Sequence, residues 1–225
     1  MGLQDYNDPS SLGSRLRRER LQIFLDMIDT VHRRKGACRV IDLGGRANYW
    51  GSVPESFFRD RNCTITLSNL EDLSPIPLTS ADIFSAVTED ACELAAPNRS
   101  YDLLHSNSVI EHVGDWSRMK RFAHHAARVA DGYFVQTPDY WFPYEPHFGT
   151  PFFAQLPRPL QVKLLMSRAC GFFPKAASVE QAVRSLESCQ LLTKPMVADL
   201  FPDAEIRLER IFGLSKSIIA LRQPA

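Results

Sequence analysis

The sequence predicts an α/β protein with a doubly wound, Rossmann-like, mostly parallel sheet, and three observations carry that prediction. Short apolar runs recur along the chain, each run leads into polar residues, and helical stretches lie between them. The runs are CRVIDL (38–43), CTITLS (63–68), IFSAVTED (83–90), YDLLHSN (101–107) and YFVQTP (133–138). Strands alternating with helices make βαβ units, whose right-handed crossovers require parallel neighbours. Such sheets bind ligands outside the carboxyl ends of their strands, where the strand order reverses. The polar residues of this chain fall at those ends.

Each element has its own sequence pattern. Residues 1–10 are polar, and MGLQDYNDPSS has no apolar core of a secretory signal. Gly2 is followed by acidic and polar residues, which gives no expectation of a lipid anchor. From Ser11 to Arg34, the residues Leu16, Ile23, Phe24, Met27, Ile28 and Val31 recur at three- and four-residue intervals and predict a helix. Its arginines, Arg15, Arg17, Arg18 and Arg20, form the solvated face, and KGA at 35–37 stops it. A shorter helix is expected between Ser52 and Asp60, and SRMKRFAHHAARV predicts a longer one from Ser117 to Val129. Past Pro138 the character changes to YWFPYEPHFGTPFF, then a basic helical stretch over 158–169 and a helix that Ser178 caps. The segment 204–223 reads as two strands around a turn at Gly213. No repeat or linker divides the chain, so one domain is expected over 1–225. It has an N-terminal tail and helix (1–36) and an aromatic-rich insertion (140–175) placed to cover a pocket.

Composition narrows the function. A chain of 225 residues, 44% hydrophobic and 23% charged, buries a full core without staples. Its 26 basic and 26 acidic residues cancel, so nothing calls for nucleic acid or an anionic membrane. No apolar run reaches the roughly 18 residues of a membrane span, and a cytoplasmic location is expected. Cys38, Cys63, Cys92, Cys170 and Cys189 are dispersed, which suggests buried thiols in a reducing compartment and no metal site.

The stretch RVIDLGGRANYW (39–50) is the first with chemistry in it. Gly44 and Gly45 let backbone approach a ligand, and a helix after them would offer its N–H groups to an anion. The turn lacks the G-x-G-x-x-G of a dinucleotide fingerprint, which argues against a nicotinamide-dependent oxidoreductase.

Together, IDLGGRANYW, SNSVIEHVGDW and QTPDYWFPYEPHF resemble the class I S-adenosylmethionine-dependent methyltransferases. Within them they resemble a bacterial group of small-molecule type, over a span from about Cys38 to the end of the chain. The resemblance implies a seven-stranded sheet of order 3-2-1-4-5-7-6 with an antiparallel last strand. It implies S-adenosyl-L-methionine as cofactor, S-adenosyl-L-homocysteine as product, and a small-molecule methyl acceptor as partner. Asp42, Gly44 and Gly45 would line the methionine part of the cofactor, with Arg46 and Asn48 in place of the family's further glycines. Arg46 would pair with the cofactor carboxylate. Asn69 would hold the ribose hydroxyls, with Glu71 as competitor, and Leu70 would lie on the adenine. Asp90 would accept from the adenine amino group beside Ala91 and Cys92, and Ser106 and Asn107 would face the transferring methyl.

Methyl transfer from a sulfonium is an in-line displacement that needs alignment, dryness and sometimes a base. In the insertion, Tyr140, Trp141 and Tyr144 offer flat walls suited to an aromatic or cationic acceptor. His147 with Glu145 is the expected catalytic pair, and a structural brace is the equal alternative. His112 is expected to position the strand-end loop, His124 and His125 to lie on a helix, and His105 to be an ordinary buried histidine. The expected activity is methyl transfer to O or N. The alternative is a binding or regulatory protein of the same fold without turnover.

Overall fold

The computed structural model describes residues 12–73, 80–145 and 147–224; the side chain of Glu145 lies outside that description, as does the N-terminal tail of residues 1–11. The sheet strands are β1 (Cys38–Leu43), β2 (Cys63–Asn69), β3 (Phe84–Thr88), β4 (Tyr101–Asn107) and β5 (Ala130–Pro138). After the two-residue strands β6 (Tyr144–Glu145) and β7 (Thr150–Pro151) come β8 (Glu205–Ile211) and β9 (Leu214–Arg222). The seven-stranded order is β3-β2-β1-β4-β5-β9-β8, with β9 antiparallel to both neighbours. This is the expected topology, including the late strand inserted beside β5. Register aligns the carboxyl ends: Leu43 lies beside Ser68 and Ser106, and Asn107 beside Gln136.

Period-two alternation sends successive strand residues to opposite faces. Val40, Leu103, Phe134 and Ile219 join a cluster with Phe24, Met27, Ile28 and Val31 of α1 (Leu12–Lys35). Ile41, Leu104, Tyr133 and Ala220 join the opposite cluster with Met119, Phe122 and Val129 of α3 (Trp116–Val129). Between them in sequence lies α2 (Glu55–Arg59), only five residues long. The cap of α3 is Asp115, whose carboxylate accepts the Arg118 amide at 2.9 Å.

The aromatic insertion has a core of its own. Phe148 stacks on Phe153 with centroids 4.3 Å apart and on Phe173 at 5.1 Å. Helices α4 (Arg158–Ser167) and α5 (Val179–Glu187) complete this cluster, which runs to Cys189 and so extends past the expected end at 175. Ser178 caps α5 as expected, accepting the Gln181 amide at 3.1 Å. Helix α6 (Lys194–Leu200) is absent from the elements expected on sequence, although Thr193 with Pro195 two residues later is a helix-start pattern.

One ion-pair node ties α1 to the sheet. Lys35 Nζ donates to Asp102 at 2.7 Å and to Asp131 at 3.1 Å, and the Arg39 amide donates to Asp102 at 2.8 Å. Burial works against the ionised Asp102, but these donors outweigh it and hold its carboxyl below the usual carboxylate range. A depressed folded-state pKa contributes stability above the unfolded value of about 4, and that contribution is lost as pH falls through the folded value. Chemical denaturation between neutral and strongly acid pH is therefore expected to show a falling acid limb, shallower in Asp102→Asn. An identical acid limb in the variant would remove Asp102 from it.

Candidate functional site

The glycine turn is built around a buried carboxylate. Asp42 Oδ1 lies 2.7 Å from His105 Nδ1, and Asp42 Oδ2 accepts from Trp50 Nε1 at 3.0 Å. Both Asp42 and His105 are almost wholly buried, within an aromatic box of Phe24, Tyr49, Trp50 and Phe134. A side chain at Gly45 would overlap Asp42, its Cβ lying 2.2 Å from Oδ2; one at Gly44, where φ is +69°, would strike Val109. The turn therefore requires both glycines for internal packing, before any ligand is considered.

The short helix expected between Ser52 and Asp60 forms as α2, and no α-helix starts directly at the turn. Residues Ala47–Tyr49 make one short 3₁₀ turn, because Trp50 folds back to reach Asp42 and Pro54 precedes α2. Arg46 pairs with Glu71, both exposed, and Asn69 joins the loops by donating to the Gly45 carbonyl at 3.3 Å and accepting from the Glu71 amide at 3.2 Å. Arg46 and Glu71, given separate roles by the resemblance, are thus partners of one another.

Three hollows run along the strand ends. The first, about 140 Å³, is lined by Ser68, Asn69, Leu70, Asp90, Ala91 and His112, among others. A second, about 280 Å³, shares Gly44 with it and is floored by Asp42, Tyr49 and His105. The third, about 230 Å³, shares Arg17 and Asn107 with the second and opens under the insertion. Several buried polar atoms on this path have no hydrogen-bond partner among the described residues: Ser68 Oγ, His105 Nε2, Asn107 Oδ1 and the Tyr49 hydroxyl. Burial pushes the Tyr49 phenol up to about 12, so it is a neutral donor at physiological pH. Unsatisfied buried polar atoms are costly unless a ligand or water meets them.

Asp90 is prepared as an acceptor. Its Oδ1 takes the Cys92 amide at 2.8 Å and its Oδ2 takes Arg118 Nη2 at 2.6 Å. Burial opposes its ionisation, but the Arg118 and Cys92 donors hold its carboxyl below the usual range. Leu70 is exposed at the mouth of the first hollow. Ser106 is fully buried, with its hydroxyl 3.3 Å from the Leu43 carbonyl, and lines none of the three hollows; its neighbour Asn107 lines two.

The insertion contributes unequally. Tyr144, Phe142, His147 and Phe172 line the third hollow. Tyr140 faces a different cavity, between Phe148 and α5, and Trp141 is two-thirds exposed. His147 Nε2 lies 3.1 Å from His112 Nε2, and the Glu145 side chain lies outside the described residues. Sequence reading misses the cations of this cavity, Arg17 and Arg20 from α1 and Lys216 from β9, which read as a wet helix face and an ordinary strand. Arg20 and Glu209 are a buried pair at 3.3 Å, with Lys216 Nζ 3.8 Å from the same carboxylate. Nothing in their spacing signals a site; the pairing of β9 with β5 brings Lys216 beside the strand ends, and Glu209 holds Arg20 next to it.

Neither a family model nor any curated protein sequence matches the chain. Solved structures do match in fold. One is the 1,6-didemethyltoxoflavin-N1-methyltransferase of Burkholderia thailandensis, bound to 1,6-didemethyltoxoflavin and S-adenosylhomocysteine; the TM-score is 0.52 at 11% identity, over 88% of this chain and 76% of that one. A candidate O-methyltransferase from Nostoc punctiforme gives 0.53 at 13% identity, over 94% of this chain but only 58% of the other. A protein of Pyrococcus horikoshii gives 0.53 at 14% identity, over 97% and 94%. The chain has the fold of the class I S-adenosylmethionine-dependent methyltransferases. Among the described residues, no helix is long and apolar enough to cross a membrane.

Proposed function

We propose that the protein is a methyltransferase that moves a methyl group from S-adenosylmethionine to an O or N atom of a small acidic molecule. The observation that carries this reading is the continuity of the three hollows, which meet at Gly44, Arg17 and Asn107 along the strand ends. The cofactor supplies an electrophilic methyl on a sulfonium. The first hollow suits its nucleoside, with Asn69, Leu70, Asp90 and Ala91 as contacts, and the second suits its amino-acid end, beside Asp42, Gly44, Gly45 and Arg46. Because Asp42 takes up the Nδ1 side of His105, the tautomer with its proton on Nδ1 presents an acceptor at Nε2, and we assign that atom to the cofactor ammonium. Arg46 would exchange Glu71 for the cofactor carboxylate.

The third hollow is the acceptor cavity. Its charge favours an anionic acceptor over the aromatic or cationic one expected from the insertion alone: Arg17, Arg20 and Lys216 gather there against Asp139 and Glu209. Burial pulls the Lys216 ammonium below the usual lysine range despite Glu209, and a bound carboxylate or phosphate reverses that pull. Tyr144 and Phe142 supply apolar wall, and His147 is the group assigned to receive the acceptor's proton.

Calorimetry is the test. S-adenosylmethionine and S-adenosylhomocysteine are expected to bind in the micromolar range and NAD(H) not at all. Asp90→Ala should weaken both ligands by about 10- to 100-fold, the value of a charge-assisted hydrogen bond. Among candidate acceptors, acids should be methylated, with kcat/KM reduced at least about tenfold in Lys216→Ala. Absence of binding by either cofactor form would overturn the reading. Binding without product across acidic, neutral and basic acceptors would leave the protein as a binding module of this fold.

A further inference from the structure

We propose a divalent transition-metal site, of the zinc class, formed by His112 Nε2, His147 Nε2 and the Cys189 thiolate, between the wall of the first hollow and that of the third. The three ligand atoms lie within 4.8 Å of one another, and they come from three separate segments of the chain. His112 sits in the short turn after β4, His147 in the β6–β7 loop, and Cys189 just beyond α5. His112 also lines the first hollow, and His147 lines the third.

The geometry of the two imidazoles points to a shared ion. Their Nε2 atoms are 3.1 Å apart, with the rings at 68°. Zinc bonds of about 2.0–2.1 Å to nitrogen and about 2.3 Å to sulfur give tetrahedral edges of about 3.3 Å between nitrogens and about 3.6 Å to sulfur. The nitrogen pair is close to its edge, and the sulfur, within 4.8 Å of both nitrogens, needs at most about an ångström of closure. His112 is oriented as metal-bound histidines are. Its Nδ1–H donates to the Ser188 carbonyl at 2.7 Å, which fixes the tautomer and turns the Nε2 lone pair toward His147. The residue that orients His112 therefore directly precedes the one that supplies sulfur.

The backbone holds His147 with equal care. Its carbonyl accepts the Phe172 amide at 2.8 Å, and a Cβ on Gly171, where φ is +55°, would come within 2.3 Å of that carbonyl oxygen. The Phe172 ring stands edge-on to the imidazole at 5.5 Å. Two nitrogens and a thiolate select zinc, cobalt or nickel over magnesium or calcium. Three protein ligands leave a fourth position for an acceptor atom, whose proton the ion would make easier to lose. With metal bound, His147 is a ligand, and the ion takes over from that side chain in easing the acceptor's proton away. The site itself does not depend on the methyl-transfer reading.

The full-length chain, stripped with a chelator, is titrated with cobalt(II) and then zinc(II). One cobalt per chain is expected, with the intense visible bands of four-coordinate cobalt and a thiolate charge-transfer band in the near ultraviolet, all displaced by zinc. Cys189→Ser should lose the thiolate band, and His147→Ala should weaken zinc by at least about 100-fold, more than loss of an orienting partner costs. Failure of the wild-type chain to hold stoichiometric cobalt or zinc overturns the site, whatever the variants do. A thiolate band that persists in Cys189→Ser overturns it too, by assigning the metal to another cysteine. S-adenosylhomocysteine calorimetry on the same samples separates the two proposals: metal without cofactor sinks methyl transfer, and cofactor without metal sinks this site.

Discussion

Gly45→Ala is expected to lower the melting temperature by about 4–12 °C and to abolish binding of S-adenosylhomocysteine. The added Cβ would fall 2.2 Å from Asp42 Oδ2, 2.4 Å from its Cγ and 2.8 Å from its Cβ. A flexible carboxylate would swing aside, but this one is gripped from both sides by His105 and Trp50 inside an aromatic box. Either those bonds break or the turn lifts away from the sheet. The second course also displaces the Gly45 carbonyl on which the Asn69 amide rests. Overpacking of this kind costs about 2–3 kcal/mol, and for a chain of this size each kcal/mol moves the melting temperature by about 2–4 °C. Gly51→Ala is the control, since its Cβ would meet only the Asn48 carbonyl at an ordinary 3.4 Å. Differential scanning calorimetry and ligand titration on the three proteins decide the matter. Normal melting and normal binding in Gly45→Ala would mean the turn yields freely and the tight packing has no functional weight.

The sheet is legible in the sequence because its strands declare themselves twice, by apolar runs and by the polar residues that end them. Asp42, Asn69, Asp90 and Asn107 all sit within two residues of a strand's carboxyl end, where a doubly wound sheet gathers residues remote in sequence. The path of the chain after the two glycines is not legible. Trp50 looks like any core aromatic, yet its indole N–H is recruited by Asp42, and that bond replaces a helix start with a short turn. In the insertion, aromatic composition announces apolar surface without saying which side of the hairpin faces inward. Phe148 is core, Tyr144 cavity wall, and Trp141 mostly exposed. The cations of the acceptor cavity are hidden more deeply, because Arg20 and Lys216, remote in sequence, come together at Glu209. The same holds for His112, His147 and Cys189, whose sequence separations match no metal-ligand spacing.

Removing either half of the Asp42–His105 pair is expected to cost about 2–3 kcal/mol, and removing both is expected to cost less than the sum. His105→Leu leaves a buried carboxylate with only the Trp50 indole, and Asp42→Leu leaves both ring nitrogens of a buried imidazole without an acceptor or donor among the described residues. Leaving a buried polar group without its hydrogen-bond partner typically costs about 1–3 kcal/mol, more where the stranded group is charged, whereas apolar replacement of both partners is often close to neutral. The double variant Asp42→Leu/His105→Leu should therefore recover at least about 1 kcal/mol relative to additivity in urea unfolding. Binding should behave differently. His105 Nε2 is the acceptor assigned to the cofactor ammonium, and no apolar residue replaces it, so the double variant is expected to fold and still fail to bind S-adenosylhomocysteine. That separation of stability from affinity distinguishes a residue that serves the site from one that only fills the core. A strictly additive cycle would mean the two side chains do not act as a pair. A stable double variant with wild-type affinity would take His105 out of the cofactor site and leave the Asn107, Tyr49 and Arg46 side of the hollow to hold the ligand's amino-acid end.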